Sequence, residues 1–336
     1  MEEIEARLAE SPAVTVTCLP DGSVDRRYAV EDAAGHVESR ADLGERIASG
    51  HAKSFLVDHE TTEPGGQAVN AARQAHALGA DTALYGHLDH AVFDALDCET
   101  HSMGRPADVA VFEFEDDAVM FTEESPDIAD WALADLDRVA DLDAALGADA
   151  VVWTNWASVQ AGTLALDALA ERAAGDGDWL VVDPGDVTVR EARAVAPFLD
   201  ALAGLEEWRV ALSVNDDELA FLAEAVSDAE EAPATRADAL ALLRGLGALD
   251  VAVLHAEDAA VAADAAGVTR CPTLSVDAVR YTGAGDRFSA GLAYALAAGW
   301  PLGEALTLAN ACATFYVTHA RSGDREALAA WLAERR

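Results

Sequence analysis

The stretch "VRYTGAGDRFSAG", Val279 to Gly291, sets two closely spaced glycines before an aspartate and then runs into a helix-forming segment. A glycine-rich turn that opens a helix gathers backbone N–H groups to receive an anion. Asp286 would repel that anion unless it had a task of its own. A carboxylate beside a phosphate cradle can take the proton of a hydroxyl as that hydroxyl attacks a terminal phosphate. Thr282, Gly283, Ala284, Gly285 and Asp286 together therefore suit phosphoryl transfer with general-base help. The plainer use of Asp286 is a helix N-cap favoured by the macrodipole. Three other polar clusters could join this one: "GGQAVN" at Gly65 to Asn70, "VDPGD" ending at Asp186, and "SVNDDE" at Ser213 to Glu218.

To ring one crevice, these clusters must sit at the carboxyl ends of strands in an open α/β sheet. The chain supplies such strands. From about residue 138 onward, "ADAVVWTNW", "WLVVDP", "WRVALSVN" and "DVAVLHA" alternate with helical stretches, and helices starting near Gly285, Leu302 and Asp324 close the chain. Upstream, "AVTVTCL" and "DTALYGH" are predicted strands around the helix "QAVNAARQAHALGA". This alternation predicts an α/β fold: a parallel-rich central sheet flanked by helices, with right-handed crossovers. "DRRYAVED" with "AGHVESR", and the run "ADVAVFEFEDDAVMFTEE", have period two instead and are predicted as hairpins. They would form a small β-sheet lid from insertions at about residues 24–62 and 105–124. With no repeat, low-complexity segment or linker, residues 1–336 are expected to be one folding unit.

Composition bounds the partners. Sixty-one acidic residues against 22 basic ones give a formal charge of −39 in a chain that is 51% hydrophobic, and Lys53 is the only lysine. Acid spread through a core-forming sequence suggests a halophilic surface, where concentrated salt screens the mutual repulsion. Nucleic acid is excluded as a partner on charge grounds. The N-terminus is unlike a signal peptide, no apolar run approaches spanning length, and the cysteines 18, 98, 271 and 312 have no paired spacing. A cytoplasmic protein without membrane contact is expected.

"TGAGDRFSAGL" resembles the signature of the ribokinase-like (PfkB) carbohydrate kinase family, and "GGQAVNAARQAHALGA" resembles that family's other signature. "SVNDDE" is similar to its Asn-x-x-Glu element, and "LYGHLD" to a Gly-x-x-x-Asp stretch. The likeness spans roughly residues 14 to 320. It implies Asp286 as general base and the amides of Gly283, Ala284 and Gly285 as anion hole. Gly65, Gly66, Asn70 and Asp25 would contact substrate hydroxyls. Thr282, Gly283, Gly285, Asn215 and His255 would face the nucleotide, and Glu218 would hold Mg2+ through water. ATP is the implied donor with ADP left open, K+ or a similar monovalent cation is a further expectation, and pairing of exposed lid edges implies a homodimer.

The departures from the pattern are equally specific. Arg280 stands two positions before the signature threonine, where family members commonly have an acidic residue. His255 opens "HAEDAA" at a strand end that usually carries glycine, and Gly185 replaces a frequent asparagine. Arg26, Arg27, Arg40, Lys53 and Arg105 all fall in or beside the predicted lid. Arginine holds phosphate in a two-pronged way, so Arg105 is a candidate substrate contact and a phosphorylated acceptor such as ribose 1-phosphate or a hexose phosphate is one expectation. Surface pairing with the abundant acid is the other. A sugar or sugar phosphate of the ribose type leads as acceptor. The alternatives are a nucleoside, for which Phe112, Phe114 and Phe121 would supply a slot, and a non-catalytic ligand-binding relative.

Overall fold

The computed structural model describes residues 2–10, 12–32, 35–50, 53–115, 117–172, 178–227 and 232–335. Parts of the predicted lid insertions, residues 33, 34, 51, 52 and 116, lie outside these. In chain order the strands are β1 (Thr15–Leu19), β2 (Ser23–Asp32), β3 (Gly35–His36), β4 (Leu56–Gly65), β5 (Asp81–Gly86), β6 (Glu99–Ser102) and β7 (Ala107–Glu113). They continue with β8 (Ala118–Glu123), β9 (Ala150–Thr154), β10 (Trp179–Asp183), β11 (Arg209–Val214), β12 (Val251–His255), β13 (Ala259–Asp264) and β14 (Gly267–Pro272).

Nine strands form one sheet in the order β14-β13-β12-β11-β10-β9-β1-β5-β6. From β12 to β6 all neighbours are parallel, and β13 and β14 add an antiparallel edge. The middle strands β9 and β10 are buried at every position, as expected of a sheet covered on both faces. Alternate residues feed two separate cores. Val152, Val181 and Val253 pack with the helices Gln67–Ala77, Ala284–Ala297 and Leu302–His319. Trp153, Val182 and Leu254 pack on the other side with the helices Gly162–Ala170, Val195–Ala203 and Arg236–Leu246.

The second sheet runs β3-β2-β7-β8, with β4 also paired to β2. It is the predicted lid, but its pairing differs from the expected hairpins. Only Gly35 and His36 of "AGHVESR" pair, with Asp32 and Glu31, and the chain then turns into the helix Arg40–Ala48, capped by Ser39 accepting from Asp42 N. The main partner of β2 is β4, whose sequence "LVDHETTEPG" is mostly exposed and carries no apolar period to announce it. The hairpin β13-β14 likewise lies in an alanine-rich stretch whose composition does not separate strand from helix.

One buried side chain ties these elements together. The helix Gln67–Ala77 begins at Gly66 and has no side-chain cap of its own. Asp21, three residues after Cys18 at the end of β1, supplies it from a distance, accepting Gln67 N at 2.9 Å and Ala68 N at 2.8 Å. Thr154 Oγ1 at the end of β9 donates to the same carboxylate at 2.8 Å, and Asn155 Nδ2 at 3.2 Å. Asp21 is 3% exposed, so its removal strands three donors, Gln67 N, Ala68 N and Asn155 Nδ2, while Thr154 Oγ1 keeps Leu19 O at 3.1 Å. Asp21→Ala is expected to cost about 3 kcal/mol or more, read as a lower denaturant midpoint in concentrated potassium chloride. An unchanged midpoint would show that this junction is not what holds strand ends and helix together.

Candidate active site

Asp286 lies in the first turn of the helix Ala284–Ala297 and is 7% exposed, yet it lines an open cleft of about 690 Å³ between the sheet and the lid. It is not a cap, because the N-cap position is Gly283 and makes no side-chain bond. Its carboxylate is held by amides: Asn70 Nδ2 donates to Oδ2 at 2.8 Å and Gln67 Nε2 to Oδ1 at 3.3 Å. Burial pushes its pKa up from 3.8, and the Arg287 charge and the Asn70 bond partly oppose the shift. The group is thus a carboxyl held in place, still facing the cleft, and more basic than an exposed aspartate.

Gly283 has φ +92, and a Cβ there would stand 2.6 Å from Arg287 Nη1. Glycine is needed both for the left-handed turn and for that guanidinium. Arg287 donates to Gly283 O at 2.7 Å and to Asn70 Oδ1 at 3.1 Å, while lying 3.6 Å over the Tyr316 ring. It orients the turn and fixes which end of the Asn70 amide meets Asp286. The expected three-amide nest is reduced by one. Ala284 N donates to Tyr281 O at 3.1 Å, because the turn closes on itself there. Gly283 and Gly285 keep N–H groups with no acceptor among the described residues.

The acceptor side is equally crowded. A Cβ on Gly65 would stand 2.2 Å from the Asp25 carboxylate, and one on Gly66, at φ +100, 2.7 Å from Gly22 Cα. The glycine pair therefore lets the lid strands cross the helix start at contact distance. Asp25 accepts Ser23 Oγ at 2.6 Å and lines the cleft with Gly66, Asn70 and Asn155. Burial raises its pKa also.

Asn215 and Glu218 form a reciprocal cap, each side chain bonding the other's backbone N–H at 2.9 Å. Glu218 nevertheless lines the cleft. Burial first, and then the Asp183 charge, push it up to about 9. Asp183 is pushed up to about 7 by burial and by Asp286, although Gln67 Nε2 at 3.1 Å and Ser289 Oγ at 2.8 Å bind it. Two carboxyls so raised, near a third, are a place where positive charge is missing. Among the described residues no group of three His, Cys, Asp or Glu side chains could cage a metal. Magnesium keeps several waters and needs only one or two protein carboxylates beside phosphate oxygens, so Glu218 fits the predicted water-mediated role.

A second cavity, of about 600 Å³, adjoins the cleft, with His255, Tyr281 and Gly285 lining both. Its far wall is apolar, with Leu274, Val276, Ala278 and Val317, as an adenine slot requires. His255 stacks on Phe288 at 5.1 Å between centroids, and burial lowers its pKa to about 4, so the imidazole is neutral.

The structure thus brings together Asp25, Gly66, Asn70, Asn215, Glu218, His255 and the 282–286 turn, with Gly65 beneath them. Arg105 is exposed and outside the cleft lining, its backbone N–H bonded to Asp127. Arg26 pairs with Asp108, Arg40 with Asp117, and Arg27 with Glu63 and Glu113, so these lid cations are matched by acid. Phe112 packs on Tyr28 and Phe121 inside the lid sheet, and neither these two phenylalanines nor Phe114 lines the cleft. Sequence reasoning passed over Asp21, Gln67 and Arg287. For Asp21 the signal was present, a carboxylate directly after the apolar run of β1, but nothing local distinguished it from Asp25 four residues on.

The family model described as prokaryotic ketohexokinase matches residues 22–334. A ketohexokinase of Haloferax volcanii is 28% identical over 270 residues, covering 75% of this chain and 70% of the relative. Three solved structures share the fold: a nucleoside kinase of Burkholderia thailandensis in complex with inosine (TM-score 0.69, 16% identity, 96% of each chain), a fructokinase of Xylella fastidiosa with bound ATP (0.67, 15%, 96% of this chain and 98% of that one), and the ribokinase of Thermotoga maritima (0.66, 17%, 95% and 99%). The composition suits the halophilic relative, and no helix among the described residues is long and apolar enough to cross a membrane. With a match of that extent around such a site, the chain belongs to the prokaryotic ketohexokinase family and is a ribokinase-like carbohydrate kinase, a phosphotransferase with an alcohol group as acceptor.

Proposed function

We propose that the protein transfers the terminal phosphoryl group of ATP to a primary hydroxyl of a neutral ketohexose such as fructose. One observation carries the choice of a neutral acceptor: no Lys or Arg side chain is among the described residues lining the cleft, while Asp21, Asp25, Asp183 and Asp286 all are. A phosphate held in the cleft itself would meet carboxylates with no Lys or Arg on the cleft wall, which costs affinity. A polyol meets acceptors for its hydroxyl protons. The ketohexose itself rests on family membership and on the named activity of the Haloferax relative. A nucleoside acceptor lacks an aromatic slot, since the lid phenylalanines face one another.

In the proposed reaction Asp286 accepts the proton of the sugar hydroxyl, whose oxygen forms a bond to the terminal phosphorus as the bond to the bridging oxygen breaks and ADP leaves. The free N–H groups of Gly283 and Gly285 receive the charge on the moving phosphoryl group. Asn70 and Gln67 keep Asp286 aimed, and Asp25 holds the sugar at the lid edge. Magnesium, when bound, neutralises phosphate charge, and Glu218 would hold it through water. His255 and the apolar cavity beyond it would receive the nucleoside end of ATP.

Leu56, Val57, Met120 and Phe121 are exposed on the lid sheet, and a homodimer through that sheet is part of the same reading. Light scattering in concentrated salt is expected to give twice the chain mass, reverting to one with Phe121→Glu; a monomeric wild type would remove this part.

Asp286→Asn is expected to lower kcat by about 10²–10⁴-fold with little change in nucleotide binding. Because the ionised form is the base and burial raises its pKa above 3.8, kcat/KM should fall on the acid side at a pH above the ordinary aspartate range. Asp183→Asn removes a coupled neighbouring carboxyl and should move that limb to lower pH. An acid limb unmoved in Asp183→Asn, or near-normal turnover in Asp286→Asn, contradicts the mechanism. For the acceptor, turnover of fructose, ribose, ribose 1-phosphate, fructose 6-phosphate and adenosine in concentrated potassium chloride should give the highest kcat/KM with fructose. Preference for a phosphorylated sugar or for adenosine would overturn the assignment.

A further inference from the structure

Behind the acceptor site lies a smaller cavity of about 230 Å³ whose walls include Arg27, Arg73, Arg280 and Arg287. Twenty-two basic residues serve the whole chain, so four arginines around one small space are out of proportion to their supply. The space is connected to the cleft through shared walls, Asp25, Asn70 and Thr282. It is large enough for a tetrahedral oxoanion with bound water, since one water occupies about 30 Å³.

Not all of the guanidinium donors here are taken up. Arg27 and Arg280 both draw on the same two carboxylates, Glu63 and Glu113. Arg287 spends Nη1 and Nη2 on the neutral acceptors Gly283 O and Asn70 Oδ1, and its buried Nε has no partner. Arg73, one helical turn after Asn70, has neither ion pair nor hydrogen bond among the described residues. Against four guanidinium groups stand the carboxylates of Asp25 and Glu63 on the cavity wall, Glu113 paired with two of the arginines, and Asp286 beside Arg287. Burial lowers Arg287 to about 10; Tyr316 and Asp286 oppose the shift, and the charges of Arg73 and Arg280 add to it. Like charges held this close, away from solvent, are screened by salt far less than surface pairs.

We propose that this arginine-lined cavity is a binding site for a phosphoryl dianion, separate from the path of phosphoryl transfer. Its ligand is inorganic phosphate or the phosphate group of a phosphorylated sugar. Planar guanidinium forks suit the tetrahedral oxoanion by paired N–H donors, and Arg287 Nε and Arg73 are the donors left to make them. An occupant would sit against the arginine that orients Gly283 and Asn70, placing it next to the catalytic turn without touching Asp286. The site does not depend on which neutral sugar is phosphorylated, and its test requires no turnover.

The test is binding to the full chain at constant ionic strength, with inorganic phosphate, fructose 1-phosphate and fructose 6-phosphate as separate probes exchanged against potassium chloride. Calorimetric titration and the thermal midpoint are the readouts. At least one probe should bind saturably to the wild type and weaken about tenfold or more in Arg73→Gln, while Arg73→Lys keeps part of the affinity. Arg138→Gln, a surface change, should leave it unchanged. Saturable binding of inorganic phosphate identifies the free ion as ligand. Binding of a sugar phosphate alone, not displaced by fructose, identifies the phosphorylated sugar. Should Arg73→Gln fail to fold, 31P line broadening with the wild type, reversed by excess sulfate and not by chloride, carries the same decision. No saturable binding to the wild type, or equal binding by wild type and Arg73→Gln, overturns the proposal.

Discussion

The site depends on one constraint: carboxyl groups buried at the carboxyl ends of parallel strands must each be given N–H or O–H donors. Asp21, Asp183, Glu218 and Asp286 are all under a tenth exposed. Asp21, Asp183 and Asp286 draw donors from a neighbouring loop or helix start, and Glu218 takes Asn215 N at the start of its own helix. Asp21 takes the first amides of the helix Gln67–Ala77, and the side chains of that helix, Gln67 and Asn70, pass the favour on to Asp183 and Asp286. The helix is therefore both the element being capped and the bracket that holds Asp286, the proposed base. Disturbing its first turn would disturb acceptor site and base together.

The same economy appears in the turn before Asp286. Gly283 allows the left-handed step, and Arg287, four residues on, closes it by binding Gly283 O. Two amides of the turn then remain directed away from internal partners while the third is committed. Preorganised donors of this kind contribute most where charge develops during reaction, because they need no rearrangement at that moment. The surrounding acid raises the cost of placing another negative charge, which favours uncharged acceptors in the cleft and leaves phosphate to the amides, to magnesium and to the few arginines set apart from it.

Charge is distributed unevenly for a physical reason. A surface dominated by Asp and Glu leaves few basic residues, and several lid arginines are matched with carboxylates. Those gathered behind Asn70 keep donors, at Arg73 and at the buried Arg287 Nε, that no internal acceptor takes up among the described residues. Position rather than number decides which arginines can meet an anion: Arg105 stands outside the cleft lining, while Arg27 lines the smaller cavity beside it.

The strand and helix alternation after residue 138, the helix starts near Gly285 and Leu302, and the place of the "TGAGD" turn at a helix start were legible in sequence, because apolar periodicity and glycine turns are local properties. The hidden parts were those without a local signature: β4, polar on both faces; the alanine-rich β13-β14 hairpin; and Asp21, whose work is done with residues 46 or more positions away. By itself the sequence determined the residue types that could accept a proton, cradle a phosphate and terminate a helix. Only the tertiary structure decided that Asp286 faces a cleft rather than capping its helix, that Ala284 N is already spent, and that Arg73 and Arg287 stand together while Arg105 stands apart. Those outcomes depend on distances between segments far apart in the chain, and such distances are set by packing and by the burial of charge, not by any neighbouring residue.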